Sequence, residues 1–86
     1  MKYRSRTEII SEILEAANGH SVAKTKIMYH ANLSHAQLKE YLMSLTENCL
    51  LGYGVNTRKF KTTEKGLRFF ETYNHMMDVL KTEQQY

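Results

Sequence analysis

Residues 33–49, LSHAQLKEYLMSLTENC, decide the fold, because they contain a helix whose start is marked by a capping motif. Ser34 followed three residues later by Gln37 is a capping box, in which each side chain accepts a hydrogen bond from the other residue's backbone N–H. Apolar side chains then recur every three or four residues and form one stripe. That stripe consists of Leu38, Tyr41, Leu42 and Leu45. We predict a helix over residues 34–48 that packs this stripe against a core.

The opposite face of this helix is short or polar, with little reason to be buried. It carries His35, Ala36, Lys39, Glu40 and Met43. A helix anchored on one side and mixed in polarity on the other suits insertion into a nucleic-acid groove. An ordinary amphipathic surface helix has the same pattern, so the neighbouring segments have to decide between the two.

Length and composition place the chain among small globular domains. Its 86 residues are 42% apolar, and no run approaches the roughly 18 apolar residues of a membrane span. The N-terminus lacks the apolar segment of a signal peptide. A single cysteine, Cys49, cannot form an internal disulfide and fits a reducing compartment. We therefore expect a cytoplasmic protein without a membrane segment.

The net charge of +3 is a mild bias, but the basic residues are unevenly distributed. Arg4 and Arg6 lie at the start, and residues 52–68 carry five basic residues against Glu64 alone. Basic charge gathered at particular places is typical of a nucleic-acid-binding surface. A solvated surface with no partner also shows this pattern.

Two helices are predicted before residue 33. The first runs over residues 6–17 and is capped by Ser5, with Glu8 completing a capping box. The second runs over residues 22–29 and is capped by Ser21. Three residues separate it from the next N-cap region, and two short helices joined in this way form a helix-turn-helix pattern.

The period of the apolar residues changes after residue 49. Leu50, Leu51, Tyr53 and Val55 are assigned to one strand and Phe60 to a second, with a hairpin loop over residues 54–58. The hairpin carries Arg58, Lys59 and Lys61. A helix-turn-helix followed by a basic hairpin indicates a winged helix. The predicted fold is α+β, mainly α, with a two-stranded wing over residues 54–61.

The last helix is predicted from a cap at Thr62 or Thr63 to about Thr82. Its apolar positions cover about half the circumference, wider than the roughly 100° stripe that a small core requires. We expect one face, near Leu67 and Phe70, to close the domain. A second face, spaced 4, 3 and 4, would pair two chains in a coiled-coil-like homodimer and consists of Phe69, Tyr73, Met76 and Leu80. One broad stripe buried within the monomer is the alternative. The chain thus divides into a winged helix-turn-helix part, residues 1–62, and a C-terminal helix, residues 63–86.

The runs LSHAQLKEYLMSLTENCLLGY and RKFKTTEKGLRFFETYNHMMDVL resemble the small archaeal winged-helix proteins of the Sulfolobus 10a type. The resemblance covers nearly the whole chain. It rests on the leucine-spaced helix, the LL-x-Y strand, the basic wing, and the T-x-x-G motif (Thr63 to Gly66) at the start of the last helix. It implies DNA binding, as a transcriptional regulator or nucleoid protein, and dimers paired through antiparallel last helices. Cys49 stands where this family usually has glycine, so the helix must end on a strained Cys49 or on Asn48.

In this interpretation the helix from Ser34 enters the major groove, the only groove wide enough for it. His35, Gln37 and Lys39 are the candidates for base edges, although Gln37 is also needed by the capping box. Ser34 and the helix N-terminus favour a phosphate. The candidates for contacts with the DNA backbone are Lys24, Lys26, Arg58, Lys59, Lys61, Arg4 and Arg6.

Other functions find little support in the sequence. The histidines and Cys49 lack the spacing of zinc ligands, and no phosphate loop or nucleophile motif occurs. We therefore expect no catalytic residues, metal or cofactor, and no enzymatic activity. The tyrosines at positions 3, 29, 41, 53 and 73 are interpreted as core-edge groups rather than as exposed stacking platforms. The remaining alternatives are a protein-interaction winged helix and, less favoured because of the deep A-form groove, double-stranded RNA.

Overall fold

The computed structural model describes the backbone of residues 4–84 and the side chains of residues 4–81. Its elements are α1 (Arg6–Ala16), α2 (Lys24–Ala31), α3 (His35–Glu47), β1 (Leu51–Gly54), β2 (Lys59–Thr62) and α4 (Glu64–Gln84). This order confirms the mainly helical, winged helix-turn-helix architecture. The division into residues 1–62 and 63–86 stays a prediction, and its two ends, residues 1–3 and 85–86, lie outside the described residues. Within residues 4–84, no helix is long and apolar enough to cross a membrane.

The hydrophobic core lies between α1, α2 and α3, with Leu51 of β1 added beneath the wing. On α3 the four apolar residues of the predicted stripe are buried: Leu38, Tyr41, Leu42 and Leu45. On α1 the core residues include Ile13 and Leu14, which are fully enclosed. The period of apolar residues therefore predicted correctly which side of α3 faces inward.

Side-chain caps begin three of the four helices within residues 4–84. At α3 the Ser34 Oγ accepts the Gln37 N–H at 3.2 Å, and the Gln37 Oε1 accepts the Ser34 N–H at 3.0 Å. This confirms the capping box. Ser5 caps α1 by accepting the Glu8 N–H at 3.1 Å. Thr63, one of the two predicted candidates, caps α4 through the Gly66 N–H at 3.0 Å.

The start of α2 differs from the prediction. The helix begins at Lys24 with Ala23 as its N-cap, so Ser21 caps nothing. The reason is a β-bridge between Val22 and Phe60, in which each backbone N–H donates to the other's carbonyl oxygen at 2.8 Å. This bridge holds residue 22 extended on the free edge of β2. A single bridging residue has no sequence period, so the pattern did not predict it.

The wing is an antiparallel pair in which Tyr53 faces Phe60, with ring centroids 4.8 Å apart. Val55, which the sequence assigned to a strand, lies in the connecting loop and is 79% exposed. The Arg58 N–H closes that loop on the Gly54 carbonyl at 2.7 Å. Arg58 itself adopts φ = +57°, a left-handed conformation that is costly for any residue with a Cβ.

The end of α3 shows how the chain manages without the glycine expected at position 49. Cys49 takes the left-handed conformation, with φ = +62°. The Leu50 N–H donates to the Leu45 carbonyl at 2.9 Å and the Cys49 N–H to the Thr46 carbonyl at 3.1 Å. These two bonds form a Schellman motif, which satisfies carbonyls that the helix end leaves free. Of the two predicted alternatives, the strained Cys49 is therefore the one observed.

Helix α4 packs on α1 and β2 and then extends beyond them. Its 21 residues span about 31 Å, against molecular extents of 51 × 30 × 19 Å. Phe69 and Phe70 are partly buried against the core. Among the described side chains, none of the apolar residues of α4 is fully buried. One side of this helix is therefore only partly covered by its own chain.

Candidate nucleic-acid interface

A solvent-open cleft of about 800 Å³ separates α3 from the wing. Its walls come from three parts of the chain: the start of α2, one flank of α3, and the inner face of the hairpin. The lining residues are Lys24, His35, Leu38, Lys39, Leu42, Met43, Thr46, Tyr53, Arg58 and Phe60.

The cleft brings together four residues that the sequence proposed for DNA contacts. His35 and Lys39 are four residues apart and therefore lie one turn apart on the same flank of α3. Arg58 reaches the cleft from the end of the wing loop, where its backbone is left-handed. Lys24 is brought there by the Val22 bridge, because that bridge fixes the chain two residues before it against β2.

The charge of the cleft is uniformly positive. Its basic residues are Lys24, His35, Lys39 and Arg58. The residues that line the cleft include no carboxylate. The acidic residues of α3, Glu40 and Glu47, are not among the residues that line the cleft. An anion is the ligand that such a surface attracts.

Between these cations the cleft is apolar, and two of its side chains are unusually exposed. Tyr53 on the wing is 48% exposed and Met43 on α3 is 54% exposed. The interpretation of Tyr53 as a core-edge group was therefore wrong, and so was that of Tyr29, which is 79% exposed. Strand alternation gave no signal for this exposure, because it places Tyr53 on the same face as the buried Leu51 and the partly buried Phe60.

Other predicted DNA contacts lie outside the cleft. Ser34 and Gln37 are engaged with each other in the capping box. Lys59 and Lys61 alternate with Phe60 along β2 and therefore extend from the opposite face of the wing. Lys26 is exposed on α2. The wing thus presents Arg58 toward α3 and its two lysines to the other side.

The two N-terminal arginines make contacts within the chain. The Arg4 guanidinium pairs with the Glu12 carboxylate at 2.5 Å and donates to the Asn32 carbonyl at 3.1 Å. The Arg6 guanidinium lies 5.0 Å from the centre of the Tyr41 ring, within the range of a cation–π contact. Both side chains therefore connect helices in this conformation.

The predicted dimer face has a covered and an uncovered part. Phe69 packs against the core of its own chain. Tyr73 lies near α1, where partial burial and then the charges of Glu8 and Glu12 raise the pKa of its phenol. Further along, Met76 is 53% exposed and Leu80 is 45% exposed. The outer part of the face is therefore free to meet another apolar surface.

Within the described part of the chain, no three histidine, cysteine or acidic side chains are grouped so that they could hold a metal ion. Cys49 is exposed at the end of α3, outside the cleft. The cleft is a positively charged surface between a helix and a hairpin, and such a surface is suited to binding.

A helix-turn-helix whose last helix shares a cationic cleft with a β-hairpin defines the winged helix class. The model of the winged helix-turn-helix family matches residues 3–81, and the chain belongs to that family. It is a family of binding proteins rather than enzymes, in agreement with the sequence analysis.

Two similar proteins are archaeal. An uncharacterized protein of Methanocaldococcus jannaschii, MJ0287, is 30% identical over 80 residues, covering 93% of this chain and 80% of its own. The crystal structure of Sso10a-2, a DNA-binding protein from Sulfolobus solfataricus, matches with a TM-score of 0.82 at 19% identity. That match covers 95% of this chain and 87% of the other. The resemblance to the Sulfolobus 10a type is thereby confirmed at the level of the fold.

Proposed function

We propose that this protein binds double-stranded DNA, with α3 in the major groove and the wing on the adjoining backbone or minor groove. The observation that carries the proposal is the convergence of Lys24, Lys39 and Arg58 on one cleft without a carboxylate. These residues come from three separate elements, so their charges meet only in the folded chain. The similar protein from Sulfolobus solfataricus is described as DNA-binding, and this supports the proposal.

Each contact has a different role in the proposal. His35 and Lys39 are exposed in the first turns of α3 and reach base edges, where lysine suits guanine. Gln37 serves mainly in the cap, since its side-chain oxygen already accepts the Ser34 N–H. Ser34 and the N-terminus of α3 approach a phosphate.

The start of α2 supplies further backbone contacts. Its N-cap, Ala23, makes no side-chain hydrogen bond, so the first N–H groups of this helix are available to an anion. Lys24 and Lys26 lie on the same turn. Arg58 contributes from the wing, while Lys59 and Lys61 strengthen the positive field from its outer face. Arg4 and Arg6 contribute less, because they already contact Glu12 and Tyr41.

We further propose a homodimer held by a coiled-coil-like pairing of α4 through Phe69, Tyr73, Met76 and Leu80. The exposure of Met76 and Leu80 supports it, because an apolar helix end that leaves the domain is stabilised by a second copy. Two copies present two α3 helices to one duplex. Such a dimer would act in the cytoplasm, on the nucleoid, as a transcriptional regulator or small architectural protein.

The test is the affinity for a random duplex as a function of salt, measured by fluorescence anisotropy. If about six phosphates are neutralised per subunit, the log–log slope should be near −5. The double variant K39A/R58A should bind weakly with a shallower slope. The control R68A/K81A removes the same charge from α4 and should bind almost normally. A salt-independent affinity, or equal loss in both variants, would contradict the proposal.

A protein-interaction module is the second candidate, and the exposed end of α4 favours it. Met76, Val79 and Leu80 are each about half exposed and could seat on a partner protein rather than on a second copy. In that case the chain would be a monomer at micromolar concentration and would show no duplex binding even at low salt. Sedimentation together with the anisotropy measurement separates the two candidates.

A further inference from the structure

Tyr53 on the wing and Met43 on α3 both line the cleft. They are two of the large hydrophobic side chains that the described fold leaves about half exposed. Exposed apolar side chains that line one concave surface are typical of a contact site. Their position between the cationic residues of the cleft suggests what they contact.

The Tyr53 ring has an aromatic neighbour on the opposite strand. Its cross-strand neighbour Phe60 lies 4.8 Å away between ring centroids, and Phe60 is fixed on both sides. On one side it pairs with β1; on the other it forms the bridge to Val22. A ring positioned by a sheet loses little conformational freedom when it binds, so Tyr53 is preorganised for contact.

The cleft combines positive charge with apolar surface, and these match the two parts of a nucleic-acid backbone. Lys24 and Arg58 provide positive charge from α2 and the wing, and Tyr53 and Met43 provide apolar surface in the same cleft. A DNA strand presents anionic phosphates separated by the apolar faces of deoxyribose rings. The cleft is also open to solvent, which suits a polymer that continues beyond it.

We propose that this cleft holds one strand of the duplex, with Tyr53 and Met43 packed against deoxyribose between phosphates bound by Lys24 and Arg58. The inference rests on the proposed function, because a helix in the major groove and a wing beside it necessarily enclose the strand between them. It adds an apolar contact that does not depend on the base sequence. Part of the affinity therefore does not depend on salt.

The experiment compares variants on one random duplex over a salt series. Tyr53→Ala should lower the affinity about tenfold at every salt concentration and leave the slope unchanged, since burial of an aromatic face is not electrostatic. Tyr53→Phe should bind normally. Arg58→Ala should instead reduce the magnitude of the slope by about one. Tyr29→Ala is the matched control, because Tyr29 is more exposed but lies outside the cleft.

Met43→Ala gives a second, independent test of the strand contact, since an exposed helical methionine can be shortened without disturbing the core. It should also lower the affinity without changing the slope. If the wild-type chain binds and both Y53A and M43A bind equally well, the strand contact is wrong and DNA binding stands. If the wild-type chain does not bind duplex at low salt, the proposed function fails and the inference with it.

Discussion

Gly66, in the first turn of α4, lies directly against the carbonyl oxygen of Leu50, at the start of the wing. A Cβ atom at position 66 would be 2.2 Å from that oxygen. The same carbonyl accepts the Thr63 N–H at 3.1 Å, and the Thr63 hydroxyl donates to the Cys49 carbonyl at 2.6 Å. The end of α3 and the start of α4 are thereby locked together, which fixes the direction of α4 relative to α3.

Gly66→Ala should consequently destabilise the fold by about 3 kcal/mol, because the backbone must shift to admit a methyl group. The higher helix propensity of alanine offsets only about 1 kcal/mol. Gly52→Ala is the control, since its Cβ would lie 3.7 Å from the nearest backbone atom, an ordinary contact. Urea denaturation followed by circular dichroism gives both values. Equal stabilities for the two variants would show that the close approach is not needed.

Arg58 and Cys49 both occupy left-handed conformations, but only Arg58 lies in the cleft. Replacing either by glycine should raise the free energy of unfolding by about 0.5–1 kcal/mol, because relief of strain exceeds the added entropy of the unfolded chain. The R58G variant should lose DNA affinity, whereas C49G should keep it. Thermal unfolding and anisotropy measure the two effects. If R58G retained full affinity, Arg58 would have no role in binding.

The capping box of α3 predicts a loss of stability for Ser34→Ala. Removing the Oγ leaves the Gln37 N–H without its partner and should cost about 1 kcal/mol. Ser34→Asp should restore the cap, because aspartate is an equally good N-cap residue. Ser21→Ala is the control, since Ser21 is exposed and α2 begins after Ala23. A comparable loss in S21A would mean that Ser21 caps α2 after all.

Lysine substitutions on the exposed part of α4 test the proposed dimer. Met76→Lys combined with Leu80→Lys should give a monomer, because two ammonium groups cannot be buried in an apolar pairing without partners. His75→Lys adds a charge to a different side of the same helix and should leave the dimer intact. Sedimentation equilibrium distinguishes the states. If the double variant remained dimeric, the pairing would have to use another surface.

Sequence preference separates the helix from the wing. His35→Ala and Lys39→Ala should change the motif recovered by selection from random DNA, since both residues reach base edges in the proposal. Arg58→Ala should weaken binding to all sequences alike and leave the motif unchanged. Should all three variants lose affinity uniformly, α3 would contact only the backbone.

The start of α3 and its buried stripe were predictable because both depend on residues close together in the chain. The capping box needs only Ser34 and Gln37, and the stripe needs only a period of three to four residues. The exchange of Ser21 for Ala23 as the N-cap of α2 was not predictable. It follows from a bridge between Val22 and Phe60, 38 residues apart, whose two hydrogen bonds hold residue 22 extended.

The candidate interface also has features that were predictable from the sequence and features that were not. The sequence by itself determined the helices, the wing and the supply of basic residues, since these follow from local periodicity, capping and composition. Only the tertiary structure decided that Lys24, Lys39 and Arg58 share a cleft and that Tyr53 is exposed. These outcomes depend on strand register and on how α2 and α3 pack against the wing. Such long-range contacts leave no periodic signal in a single sequence.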